Sequence, residues 1–133
     1  MKNIVDTASS TGAFRNLLKA IESAGLTSTL TSKRDYTIFA PSDSAFAKIP
    51  SDILDEIMQN PKRLRQLLNY HIVPRRVYSG DVSNGSCTKT MLGKDICFDT
   101  SSGTKVENST IVDADIQCTN GIIHMIDTVL IPK

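Results

Sequence analysis

Apolar residues recur at helical spacing through the first half of the chain and in short runs broken by turn residues through the second. Lys2 to Ala8 predicts a short helix. Phe14, Leu17, Leu18 and Ile21 then follow an i, i+3, i+4, i+7 stripe, expected to be capped by Ser10 or Thr11 and stopped at Gly25. A further turn of helix is expected over Leu26 to Leu30. Tyr36-Thr37-Ile38-Phe39-Ala40 is a β-rich run ended by Pro41. Ser42 is placed to cap the next helix, with Asp43 in its first turn and Ala45, Phe46 and Ile49 on its apolar side. Ser51 is expected to cap Asp52 to Gln59, which carries Ile53, Leu54, Ile57 and Met58 on one face. Asn60-Pro61 opens a helix running through Leu64, Leu67 and Leu68 to His71.

The second half predicts strands at Arg76 to Ser79, Cys87 to Leu92, Asp95 to Asp99, Gly103 to Glu107, Thr110 to Asp115 and Gly121 to Ile131. Gly93-Lys94, Ser102-Gly103 and Asn120-Gly121 supply turns between them. The last run is nearly continuous in apolar residues, which implies a strand covered on both faces. Helices first and strands later, with no βαβ repeat, predict an α+β fold. The 133 residues fit one domain, 1–133, large enough to bury a core without a metal or a disulfide scaffold.

Composition narrows the function classes. There is no Trp, with three Tyr and four Phe, so base-stacking platforms for nucleic acid and Trp-faced sugar sites are not expected. No apolar run is long enough to span a bilayer, and the N-terminus has no signal-peptide pattern. Cys87, Cys97 and Cys118 are odd in number and lack C-x-x-C spacing. They are read as three reduced, buried thiols, with one disulfide plus a free thiol as the alternative; a zinc site is not expected. Two glycosylation sequons, at Asn84 and Asn108, are about what chance supplies and do not indicate secretion.

The net charge of +1 conceals a partition: −1 over residues 1–60, +5 over 61–80 and −3 over 81–133. The positive segment holds Lys62, Arg63, Arg65, Arg75 and Arg76 with no acid. If the chain folds the helical and loop groups together, they form a patch suited to an anionic glycan, a phosphate or an acidic protein; the alternative is a solvated helix face plus two loop arginines.

Three stretches are familiar in order and spacing: Tyr36-Thr37-Ile38-Phe39-Ala40-Pro41-Ser42-Asp43-Ser44-Ala45-Phe46, then Leu67-Leu68-Asn69-Tyr70-His71-Ile72-Val73-Pro74, then Thr119 to Pro132. With the opening Asn3-Ile4-Val5-Asp6-Thr7-Ala8, they resemble the fasciclin domain over residues 3 to 132. The resemblance implies a fasciclin-like wedge of two β-sheets bordered by N-terminal helices. It implies an extracellular or surface-attached, non-enzymatic adhesion or protein-interaction module without cofactors, whose partners are surface or extracellular-matrix proteins. It also places integrin-associated positions at Tyr70-His71 and at Asp115-Ile116, although the residues around the second pair depart from the family's motifs.

Each of these positions also has a plain structural role open to it. His71 fits a buried, hydrogen-bonded ring at a helix-to-strand corner, and Asp115 a solvated strand end. His124 and Asp127, three apart on a strand, point to opposite faces and cannot form a dyad; a packing role is expected for His124. There is no G-x-S-x-G, H-E-x-x-H or P-loop, so no enzyme is expected. A small-molecule carrier, with an apolar pocket between helices and sheet, is a further alternative.

Overall fold

The computed structural model describes residues 3–31, 35–78, 80, 83–101, 103–107 and 109–130. Lys2, Ser79, Ser102, Asn108, Ile131 and Pro132, which figure in the expectations above, lie outside them. The helices are α1 (Ile4–Thr11), α2 (Arg15–Ser23), α3 (Thr27–Leu30), α4 (Asp43–Ala47), α5 (Ser51–Gln59) and α6 (Pro61–Asn69). The strands are β1 (Tyr36–Pro41), β2 (Ile72–Val73), β3 (Cys87–Lys89), β4 (Asp95–Asp99), β5 (Lys105–Val106), β6 (Ser109–Cys118) and β7 (Gly121–Ile126). The α+β class and the helix-then-strand order are as the sequence predicts.

The strands are hydrogen-bonded in the succession β2-β1-β7-β6-β5-β4-β3. All pairings are antiparallel except β1 with β7, which is parallel from Tyr36↔Gly121 to Pro41↔Ile126. Side chains alternate across β1, so its two faces serve different cores. Ile38 and Ala40 join Phe14, Leu17, Ile21, Phe46, Leu64 and Leu68 beneath the helices. Phe39 points the other way, into a second cluster with Val73, Val77, Ile96, Phe98, Val106 and Ile126, drawn from both ends of the strand succession. The two limbs of the wedge therefore enclose that second core. β7 divides in the same way, Ile123 to the first core and Ile126 to the second, as expected of a strand covered on both faces.

Several boundaries differ from expectation for identifiable reasons. Ser10 and Thr11 do not cap α2. They close α1, where the Thr11 hydroxyl donates to the Ala8 carbonyl at 2.8 Å. The α2 N-terminus is instead met across the fold by Asp43, whose carboxylate accepts the Asn16 N–H at 2.9 Å. Ser51 lies inside α5, behind Pro50, and supplies no side-chain cap. Ser42 and Asn60 do cap α4 and α6, as predicted. No strand forms at Arg76 to Tyr78. The buried Thr37 hydroxyl donates to the Arg75 carbonyl (2.6 Å) and accepts the Val77 N–H (2.7 Å), so this backbone is bonded to a side chain rather than to a ladder.

The expectation of three reduced thiols is also corrected. Cys87 and Cys97 form a disulfide, and Cys118 is free and buried. The β3–β4 register pairs Cys87 directly with Cys97, Cα to Cα 4.0 Å, about the spacing of a non-hydrogen-bonded antiparallel pair.

Candidate functional site

The Tyr70-His71 pair sits where α6 turns into β2. Tyr70 closes the helix, its N–H donating to the Gln66 carbonyl, and the His71 N–H donates to Leu68. The His71 ring is 1% exposed and doubly engaged. Nδ1–H donates to the Leu67 carbonyl at 2.7 Å, while Nε2 accepts the Leu130 N–H at 2.9 Å. That pairing requires the neutral ring. Burial drives its pKa down to about 4, against the pull of the Leu67 bond. Tyr70 is buried too, and its hydroxyl donates to the Glu107 carboxylate at 3.1 Å. Burial and then Glu107 push the phenol up to about 12. Both side chains are buried and thus tie the corner to neighbouring segments.

Asp115-Ile116 lies on β6, where the pairing with β7 slips between Ile111 and Asp113 and again between Asp113 and Ile116. These slips are β-bulges. Asp115 takes the left-handed backbone conformation, φ 57°. Its N–H donates to His124 Nδ1 at 3.1 Å, while its carboxylate oxygen stands 3.9 Å from the same nitrogen. His124 Nε2–H donates to the Val77 carbonyl at 2.6 Å, and the ring stacks on Phe39 with centroids 5.4 Å apart. Burial lowers the His124 pKa, opposed by the Val77 bond and the Asp115 charge. Ile116 is half-buried against the first core, whereas Val112 is 55% exposed and Asp113 and Gln117 are exposed. The bulged segment 112–117 therefore presents a mixed apolar and acidic strip.

His124 and Asp127 do not meet. Asp127 turns instead to the Thr110 N–H (2.9 Å), the Thr128 hydroxyl (3.1 Å) and, more distantly, Lys48 (4.0 Å). Burial pushes its carboxyl up, but these donors outweigh that and hold it below the usual carboxylate range.

Four of the five cations at 62–76 are directed at separate neighbours. Arg63 pairs with Glu56 on α5 at 2.6 Å, and Arg65 donates to the Ala24 carbonyl at the end of α2. Arg75 donates to the Thr88 hydroxyl at 2.8 Å. Arg76 donates to Asp35 and to the Thr119 carbonyl, each at 3.0 Å. Lys62 is exposed on α6. The segment has no acid of its own, but the fold brings Glu56 and Asp35 to it.

The residue most underrated by the sequence is Asn120, expected only as a turn former. It is 4% exposed. Its side-chain carbonyl accepts the Ile4 N–H (3.0 Å), its amide donates to the Leu30 carbonyl (2.7 Å), and its own carbonyl accepts the Tyr36 N–H (3.0 Å). One side chain thereby joins the start of α1, the end of α3 and the β6–β7 turn. Among the described residues, no group of three or more His, Cys, Asp or Glu is placed to hold a metal, and no helix is long and apolar enough to cross a membrane.

The Fasciclin domain family model matches residues 12–132. The chain is 37% identical over 131 residues to the uncharacterized protein sll1735 of Synechocystis sp., covering 98% of each. It is 33% identical over 133 residues to transforming growth factor-beta-induced protein ig-h3 of Sus scrofa, covering 99% of this chain and 20% of that one. With periostin of Homo sapiens it shares 35% identity over 103 residues, which is 73% of this chain and 12% of periostin. Among solved structures, a FAS1 domain pair from the insect cell adhesion molecule fasciclin I superposes with a TM-score of 0.72 at 25% identity, covering 91% of this chain and 46% of that one. With its signature segments, its helix-bordered strand succession and these relatives in agreement, the chain belongs to the fasciclin domain family.

Proposed function

We propose that this chain is a non-enzymatic adhesion or protein-interaction module, one domain over residues 1–133, working outside the cell or at its surface. The carrying observation is the fold and family shared with an insect cell adhesion molecule. The Cys87–Cys97 disulfide supports the location, since such bonds persist in oxidising compartments. The contact surface in this reading is the bulged strip 112–117. Asp115 and Ile116 lie at its centre, and Val112, Asp113 and Gln117 are its exposed members. Tyr70 and His71 serve by fixing the corner after α6 rather than by touching the partner. The partners are surface or extracellular-matrix proteins.

The anionic-glycan alternative requires Lys62, Arg63, Arg65, Arg75 and Arg76 to converge, and the separate partners of the four arginines work against it. The carrier alternative requires space between helices and sheet, where Phe14, Leu17, Ile38 and Phe46 are buried together.

Single modules of this kind bind weakly and gain strength through repetition. The test is therefore multivalent: the chain clustered on beads, offered to matrix proteins and cells, beside the same beads carrying Val112→Lys. Capture by the unmodified chain that falls sharply with the variant supports the reading. Absence of capture in the multivalent format, or capture indifferent to Val112→Lys, overturns the adhesive role or its placement respectively.

A further inference from the structure

We propose that His124 is a proton-operated latch on the β6 bulge, holding Asp115 in its left-handed conformation when neutral and releasing it when protonated. The inference concerns the conformation of this strip and stands whether or not a partner docks there.

The geometry assigns the two ring nitrogens opposite duties. Nε2 faces a carbonyl, Val77 at 2.6 Å, and so carries the hydrogen. Nδ1 faces a donor, the Asp115 N–H at 3.1 Å, and so is the bare acceptor. A second proton can enter only at Nδ1. There it would confront the Asp115 N–H, turning one hydrogen bond into two opposed donors. The nearest relief is the carboxylate of the same residue, whose oxygen is 3.9 Å from Nδ1 and whose side chain is 36% exposed. Swinging that carboxylate onto the imidazolium exchanges a backbone bond for an ion pair within one residue.

The backbone is poised for such an exchange. Asp115 is a non-glycine residue at φ 57°, a conformation that carries a steric cost. It lies just before Ile116, where pairing to β7 resumes. The hydrogen bond from the Asp115 N–H to His124 ties this excursion to β7, so losing it loosens the bulge. Val77 keeps the ring in place throughout, because Nε2–H is unchanged by the second proton.

Among the described residues, the groups that face the ring are these. From β6 it is Asp115. From β1 it is the Phe39 ring, stacked and uncharged. From the segment after β2 it is the Val77 carbonyl; the neighbouring Arg75 is engaged by Thr88, and Arg76 by Asp35, Thr119 and Tyr78. Asp115 is therefore the counter-charge that decides where the proton settles, opposing the effect of burial. His71 forms a separate system, which reports through Leu130 rather than through Asp115.

The experiment is amide and imidazole NMR on the whole chain from neutral to about pH 4, with hydrogen exchange corrected for intrinsic rates. Protection of the Asp115 amide should fall about tenfold in step with protonation of His124 Nδ1, as loss of one hydrogen bond would give. The Leu130 amide should respond only to His71. In Asp115→Asn, His124 should protonate at lower pH, and the loss of protection should move with it. Asp115 protection that persists through the His124 titration overturns the latch. So does protection lost together with every core amide, or a variant whose His124 titration does not move.

Discussion

Gly121 opens β7, an interior strand between β1 and β6, and lies against the backbone of β1. A Cβ built there would stand 1.9 Å from the Tyr36 carbonyl oxygen, 2.9 Å from its carbon and 2.8 Å from Ile4 Cδ1. Ile4 can rotate aside, but a carbonyl fixed in a strand cannot. Ordinary contact begins at 3.4 Å, so Gly121→Ala requires β1 and β7 to part by about 1.5 Å at this rung. That separation breaks the Tyr36 N–H bond to Asn120, now 3.0 Å, and disturbs the Asn120 side chain that links α1 to α3. Overpacking at about 1–3 kcal/mol plus at least one buried hydrogen bond left unmade gives a loss of about 3–5 kcal/mol. The companion variant is Gly93→Ala, where φ is +89° and nothing lies within 4 Å. It carries only left-handed backbone strain, about 1–2 kcal/mol. Urea denaturation, comparing midpoints at unchanged slope, separates the two. If Gly121→Ala is no more destabilising than Gly93→Ala, the close approach does not limit the fold and the reasoning fails.

Two further outcomes are expected. His71 has a folded pKa of about 4 against an ordinary 6.5, so the unfolded chain takes the proton first. Its contribution is complete above about pH 6.5 and is lost as pH falls toward 4, about 3 kcal/mol in all; an NMR titration finding His71 near 6.5 in the folded protein refutes it. Reducing Cys87–Cys97, whose partners are 10 residues apart, should cost about 3 kcal/mol on the loop-closure treatment; an unchanged denaturation midpoint in dithiothreitol would show that the bond adds nothing to the fold's stability.

The helical half was legible because its caps and stripes are local: Ser42, Asn60-Pro61 and the Leu64, Leu67, Leu68 face all act within a few residues. Where a cap came from elsewhere in the fold, as Asp43 does for α2, the local pattern misassigned it to Ser10 or Thr11. The disulfide did leave a trace, since a hairpin centred on Leu92 sets position 87 opposite position 97, but that symmetry has meaning only once the register is known. The same limit applied to the cations, whose acidic partners Glu56 and Asp35 lie outside the positive segment. The candidate surface was legible as residue identities alone. Nothing local in Asp113-Ala114-Asp115-Ile116 announces a bulge, which arises from fitting β6 to β7. Asn120 read as a turn former because its three distant partners, at Ile4, Leu30 and Tyr36, are brought to it only by the fold.

The parallel pairing of β1 with β7 bears on how the chain reaches its native state. β1 finds its β7 neighbour only when Tyr36 meets Gly121, about 85 residues downstream, so a large loop must close before β1 and β2 can join the rest of the sheet. During synthesis, the N-terminal helices and β1 must wait with their apolar faces open until the last strand has left the ribosome. Truncation just before β7 would therefore leave β1 with the two-residue β2 as its one remaining strand neighbour, and remove the strand against which both cores are built.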